Sequence, residues 1–347
     1  HDLSSILMFG NNTLAAAYAS VNIPFGKFNI YAGVRFEHDR MELVSNTQDH
    51  QKSPTSTYYT FNDFFPSVNA TYRLSDKQQL RLAYGKSVNR PEFREVSSSV
   101  FYDFDLSGNI QGNPNLTACY VHNVDLRYEL YPSKSELVSV ALFYKNFQNP
   151  IEWTYTVAGG TDPIYSYKNA KGAYSYGVEL DVKKSLDFIG APDLSLVFNG
   201  ALIKSKVNFD KGDQEKNRPM QGQSPYIINT GLFYQNSRIG LSAALLYNRI
   251  GKRIVGVGRS MGSVDDNVRI PDSYEMPRNA VDINLSKKIG SHFELKLSVK
   301  DLLGESVVFK QFEDGIRLNN GTVKNAEEVT RCYKPGRNYS LSVTYNF

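Results

Sequence analysis

A two-residue rhythm of side-chain polarity restricts this chain more than any other feature. In residues 124–130 (VDLRYEL) four apolar side chains alternate with three charged ones. The stretches 293–300 (FELKLSVK), 178–183 (VELDVK), 281–286 (VDINLS), 80–84 (LRLAY) and 339–347 (YSLSVTYNF) keep the same period. Successive side chains of a β-strand point to opposite faces, so each stretch has one apolar and one polar face. Apolar residues at helical spacing are scarce. The chain is therefore expected to be all-β.

The connections add order to the strands. Short turn-forming segments lie at 24–27 (PFGK), 75–78 (SDKQ), 132–135 (PSKS), 235–238 (QNSR) and 288–291 (KIGS). Gly, Pro, Ser, Asn and Asp supply the backbone angles and local hydrogen bonds that tight turns need. Long connections at 45–57, 90–116, 209–223, 251–273 and 304–336 fall between them. In an up-and-down antiparallel barrel this alternation collects the short turns at one end and the long loops at the other. About thirteen strands result, beginning near Leu14, Phe28, Phe64, Gln79, Ala118, Glu136, Tyr174, Leu194, Tyr226, Gly240, Asn279, Phe293 and Asn338. Bacterial single-chain barrels have even strand numbers, so the odd count implies further strands N-terminal to His1. The first residues, His-Asp-Leu, carry no initiator Met and resemble no signal segment.

Whether the apolar face meets lipid or a second sheet depends on the opposite face. That face carries Asp125, Arg127, Glu129, Glu179 and Asp181 in mid-strand, which a wet lumen tolerates and a dry core does not. Tyr72, Tyr128 and Tyr131 lie beside short turns, and Phe61, Phe64 and Phe65 towards a long loop, as two interfacial girdles require. The 23 Tyr and 20 Phe stand against a single Trp. No run approaches the roughly 18–20 apolar residues of a membrane-spanning helix. A mean hydropathy of −0.40 is compatible with a membrane barrel, because only alternate residues face lipid. The fold expected is a transmembrane antiparallel up-and-down β-barrel.

Other functions find little support. A net charge of +4 with no basic tract gives no nucleic-acid footprint. Cys119 and Cys332 match no metal or redox spacing; two unrelated thiols are expected, and a pairing between them stays open. The nucleophile-elbow G-x-S-x-G and zinc H-E-x-x-H patterns are absent. His38, between Glu37 and Asp39, is the one suggestive cluster, and alternation puts it on the lipid-side row with Phe36. No enzyme activity, cofactor or metal is expected. Binding at long loops uses convergent aromatic and charged groups. The candidates are Tyr102, Asp103, Phe104 and Asp105 after Arg90, and Arg253, Arg259 and Asp265 after Tyr247.

Two segments go beyond fold class. Residues 87–95 (SVNRPEFRE) run from a strand end into a long loop that closes with 112–116 (GNPNL). This order resembles the barrel of TonB-dependent outer-membrane receptors, particularly those of Bacteroidetes type. Residues 297–304 (LSVKDLLG) resemble the family's penultimate strand, with Asp301 and Gly304 in place of the usual asparagines. Tyr339, Leu341, Val343, Tyr345 and Phe347 resemble the terminal signal by which outer-membrane barrels are recognised for assembly. The resemblance implies a barrel of about 22 strands around an N-terminal plug. Residues 1–347 are then the C-terminal part of the barrel, without the plug. It further implies active import of a siderophore, cobalamin, glycan or peptide across the bacterial outer membrane. Its partners would be the plug and remaining strands, the TonB–ExbB–ExbD complex, the barrel-assembly machinery, outer-membrane lipids and, for a glycan cargo, a surface lipoprotein. A passive porin, or a structural or adhesive barrel, is the alternative. Arg90, Pro91, Phe93, Gly112, Asn113, Pro114 and Asn115 are expected to fix the ends of their loop, since Pro sets φ and Asn caps turns.

Overall fold

Thirteen strands follow one another as neighbours in a single antiparallel sheet of the computed structural model. The structure describes residues 8–45, 55–104, 108–156, 164–211, 213, 215–260, 269–317 and 323–347. The strands are β1 (Met8–Phe25), β2 (Phe28–Ser45), β3 (Thr55–Ser75), β4 (Gln78–Asn89), β5 (Cys119–Leu130), β6 (Leu137–Gln148) and β7 (Gly172–Leu186). They continue with β8 (Ala191–Asn208), β9 (Tyr226–Asn236), β10 (Leu241–Ile250), β11 (Asn279–Ile289), β12 (Phe293–Lys300) and β13 (Asn338–Tyr345). Short and long connections alternate throughout, so all long loops leave one end of the wall. Among the described residues no helix is long and apolar enough to cross a membrane.

Register separates the two faces. Ala70, Leu82, Leu126, Leu142, Val178 and Leu202 are successive cross-strand partners and form one apolar rung. Leu82, Leu126, Leu142 and Leu202 are exposed, as lipid-facing side chains must be. On the other face Gln79, Glu129, Ser139, Asp181, Asn199, Asn229 and Asn248 form a polar rung. Its members bond sideways: Ser139 donates to Asp181 (3.1 Å), Asn199 to Asp181 (2.5 Å), Asn229 to Asn199 (3.2 Å) and Asn248 to Asn229 (2.7 Å). Arg127 lies 3.0 Å from both Glu129 and Asp181. Of the mid-strand charges, Arg127, Glu129 and Asp181 are therefore paired with one another as well as facing the lumen, and the pairing ties neighbouring strands together.

Three departures from a uniform barrel shape the loop end. Strands β1–β3 have 18, 18 and 21 residues, against the roughly 9–11 that a membrane crossing needs. Their upper halves stand clear of lipid, and Met41 and Leu43 are buried under the loop after Arg90. Pairing of β3 with β4 stops at Ser67 and Gly85, one residue short of Pro66, which has no N–H to donate. Of the three phenylalanines expected in a girdle only Phe64 is exposed to the outside, 5.0 Å from Phe36; Phe65 is buried. Alternation places Phe61 with Phe65 on the inner row. The strand and turn pattern predicts no element in residues 149–171. That stretch contains a hairpin, Ile151–Thr156 with Ile164–Asn169.

Candidate ligand-binding loops

The first loop is fastened by Arg90. Its guanidinium lies 2.8 Å from Glu37, 3.2 Å from Asp39 and 3.2 Å from Asp63, carboxylates on the inner rows of β2 and β3. Tyr120 donates to Asp63 at 2.6 Å, and the Phe61 and Phe65 rings face Arg90 at 5.7 and 5.9 Å. The cluster closes the wall where β3 and β4 have parted above Pro66. Beyond buried Pro91 comes a one-turn helix, Phe93–Val96, with a capping box: Glu95 accepts from the Glu92 N–H at 2.9 Å. Phe93 packs on the Met41, Leu43, Val96 and Leu116 cluster.

The GNPN stretch returns to that helix. A Cβ on Gly112 would stand 2.5 Å from the Arg94 and Ser97 carbonyls, so only glycine permits this approach. The Asn113 N–H donates to Glu95 O (2.6 Å), and the Asn113 side chain donates to Tyr167 O (2.9 Å) and accepts from the Asn115 N–H (3.0 Å). Pro114 O accepts from Tyr59 at 2.6 Å. These residues thus hold the loop to β3 and to the next loop.

Loops from separate connections are knitted into one roof. Strands Val100–Asp103 and Gly108–Gln111 share a sheet with the 151–169 hairpin. That hairpin is locked to the 209–225 connection by Lys168, 2.7 Å from Asp213 and 3.1 Å from Glu215. Thr154 donates to Glu215, and Arg218 to Glu152 at 2.7 Å with both side chains buried. Burial lowers the Lys168 ammonium, but its bonds to Asp213 and Glu215 outweigh this and leave it raised. Burial raises the Glu152 carboxyl against the opposing pull of Arg218. The 209–225 connection in turn reaches the next: Gly222 N–H donates to Ile254 O (2.8 Å) and Gln221 to Val255 O (2.9 Å). Finally Arg253–Gly256, Ser273–Glu275, Val307–Arg317 and Val323–Tyr333 form a further sheet.

At the junction lies a cavity of about 210 Å³, lined by Trp153, Thr154, Tyr165, Gln221, Val255, Gly256 and Val257. Trp153 is backed by Tyr167 (4.6 Å) and Tyr165 (6.3 Å). Burial, with Glu95 and Glu92 nearby, pushes the Tyr167 hydroxyl up to about 12. No lining residue is charged. The cavity offers ring faces, a hydroxyl, an amide and main-chain groups, which suits contact with rings and hydrogen-bonding edges.

The candidates named from sequence do not meet there. Tyr102 and Phe104 are exposed at the tip of the first loop, their rings 5.1 Å apart edge to face. Asp103 ends the strand between them, opposite Gly108. Arg253 is held by its cross-strand partner Glu275 at 2.7 Å. Arg259 begins a two-residue strand pairing with Arg269–Ile270, and its side chain lies outside the described residues, as do Asp105 and Asp265. Trp153, Tyr165 and Gln221 escaped the sequence reading. The signal was available: the one Trp of the chain, in an alternating WTYT followed by IYSY. Among the described residues no group of three or more potential ligands could hold a metal ion. His38 bonds Asn62 at 2.8 Å on the outer row. Cys119 is buried, Cys332 exposed, and both are free.

The family model described as TonB dependent receptor-like, beta-barrel matches residues 8–302. The chain belongs to this family. That model is general and does not single out the Bacteroidetes type. Solved TonB-dependent receptors have the same fold. The ferric enterobactin receptor PfeA of Pseudomonas aeruginosa superposes with a TM-score of 0.64 at 16% identity over 98% of this chain and 55% of its own. The ferric-catecholate import receptor Fiu of E. coli gives 0.65 at 15% identity, over 98% and 45%. The ferric yersiniabactin uptake receptor FyuA of Yersinia pestis gives 0.61 at 17%, over 98% and 46%. The chain thus spans about half the length of these receptors. No curated protein matches it. The family is one of outer-membrane transporters, and this segment is outer-membrane barrel wall with its loops.

Proposed function

We propose that this chain is the barrel wall and extracellular face of a receptor that actively imports a nutrient, driven by TonB acting on a plug inside the complete barrel. One observation carries the reading: loops from separate connections converge on the Trp153 cavity and are tied together by ion pairs, that of Arg218 with Glu152 being buried. A simple diffusion pore has no need of that roof. In this reading the TonB–ExbB–ExbD complex supplies the energy, and the barrel seals lipid outside while presenting cargo to the plug. The cargo belongs to the siderophore, cobalamin, glycan or peptide classes. The uncharged lining favours contact there with a neutral ring-bearing part of the molecule. Tyr102 and Phe104, exposed at the roof's edge, are assigned an initial capture role. Tyr339, Leu341, Val343, Tyr345 and Phe347 are assigned to recognition by the assembly machinery.

The test is uptake of radiolabelled candidates from each class by cells expressing the full receptor, with and without TonB, together with bilayer conductance. TonB-dependent uptake reduced by Trp153→Ala, with no steady conductance, is expected. Steady conductance, or uptake independent of TonB, would establish the porin alternative.

A further inference from the structure

We propose that the lumenal wall of β8–β10 is a cargo subsite for an uncharged polyhydroxylated group, a sugar ring of an oligosaccharide. The inference rests on the import reading above and names the cargo class within it. Register shows that the polar rung climbs obliquely, as strand stagger requires in a barrel. At one end Gln79 stands beside the short turn that opens β4; at the other Asn248 is close to the loop end of β10. Its upper steps, Asn229 and Asn248, therefore lie near the mouth. The Trp153 cavity is lined from the connections between β6 and β7, β8 and β9, and β10 and β11, which leave the same part of the wall.

Asn199, Asn229 and Asn248 line a second cavity, of about 310 Å³. Each donates one amide N–H along the ladder towards Asp181, and each amide nitrogen carries two. One N–H per step is thus left for a ligand, the steps being about 4.8 Å apart across the strands. Asp282 lines the same cavity; one of its oxygens accepts from the Asp301 N–H at 2.8 Å, and the other is left for a hydroxyl. Below the ladder the surface is apolar. The Phe233 ring lies across Gly231, where a Cβ would stand 2.6 Å from it, and Leu246 is beside them. Groups that donate and accept, set above a ring face and an aliphatic side chain, match the hydroxyl edge and C–H face of a sugar ring. Charge weighs against ionic cargo. The inner rows of β8, β9 and β10 contain no Lys, Arg, His, Asp or Glu. Those of β4–β7 carry Arg81, Asp125, Arg127, Glu129, Glu179 and Asp181. An anionic metal chelate, or the terminal carboxylate of a short peptide, would meet only Asp282 in this cavity and lose hydration without a counter-charge.

The test is isothermal titration calorimetry of the full receptor in detergent against neutral hexasaccharides of the glucan, mannan, galactan, xylan and fructan series. At least one should bind, and N229L/N248L should weaken it on the order of tenfold, since each lost neutral hydrogen bond is worth several-fold in affinity. Phe233→Ala, which keeps the ladder, should weaken it too, and is read alone should the double variant fail to yield a heat-modifiable folded barrel. Leu245→Ala, on the lipid face of β10, should bind as the wild type does. Binding of no hexasaccharide, wild-type affinity in N229L/N248L or in Phe233→Ala, or an equal loss in Leu245→Ala would each overturn the proposal. So would new conductance in N229L/N248L with affinity unchanged, which would make the ladder a contact of the plug alone. The import reading fails by a different result, steady conductance of the wild-type receptor or uptake independent of TonB.

Discussion

Removing Arg218 should release the loop roof in a pH-dependent manner. Its side chain is 4% exposed, and that of its partner Glu152 is 8% exposed. Without Arg218 the carboxylate must either stay charged in a dry site, at several kcal/mol, or take up a proton. Protonation is the cheaper route. From an ordinary value of 4.5, holding the proton at pH 7 costs about 3.4 kcal/mol, at 1.36 kcal/mol per pH unit. The closed roof of Arg218→Ala then keeps a proton that the open one releases. Closure is accordingly unimpaired below the unfolded value and weakens as pH rises above it. Opening should increase about 300-fold at pH 7 and about fourfold at pH 5. Hydrogen exchange of amides 151–156 and 164–169 in the full receptor reads this directly. Adding Glu152→Gln should abolish the pH dependence. An exchange enhancement in Arg218→Ala that is equal at both pH values, or a slope that survives Glu152→Gln, would refute the reasoning.

Three further outcomes test the wall. Leu297→Arg, on the lipid face, should cost about 2–4 kcal/mol of barrel stability and lower the folded fraction seen by heat-modifiable migration. Ser298→Arg, on the lumen face where Ser298 bonds Asn284 at 2.7 Å, should not. Gly177→Val should destabilise by about 1–3 kcal/mol or more, because a Cβ there would stand 2.3 Å from Leu202 O and 2.8 Å from the Phe143 ring; urea midpoints in detergent measure it. Phe347→Ala, in the exposed apolar row that continues from β13, should reduce surface level without changing the spectrum of the barrels that do assemble.

How far the sequence could be followed depended on the range of the interaction. Alternation and turn chemistry act over two to four residues, and they gave all thirteen wall strands in their order. The same rules failed where strands are not bounded by membrane. The start of β3 was expected near Phe64, because a lipid-crossing template has no term for Thr55 to Asp63, whose inner row is covered by another loop. Proline at 66 was visible in the sequence, but its consequence, a parted ladder filled by Arg90, needs a partner strand to be missed. The 90–116 motif residues were identified from their pattern, whereas their contacts with Tyr59 and Tyr167 are more than fifty positions away.

The sequence by itself determined that this chain alternates faces, turns tightly at one end and loops widely at the other, because each side chain's direction follows from its own backbone. Only the tertiary structure decided which loops share a roof. It brought Trp153, Gln221 and Val255 around one cavity and set Arg218 against Glu152, 66 residues away. Such pairings are fixed by the curvature of the wall and by the burial cost of unpaired charge, neither of which is written in any short stretch of the chain.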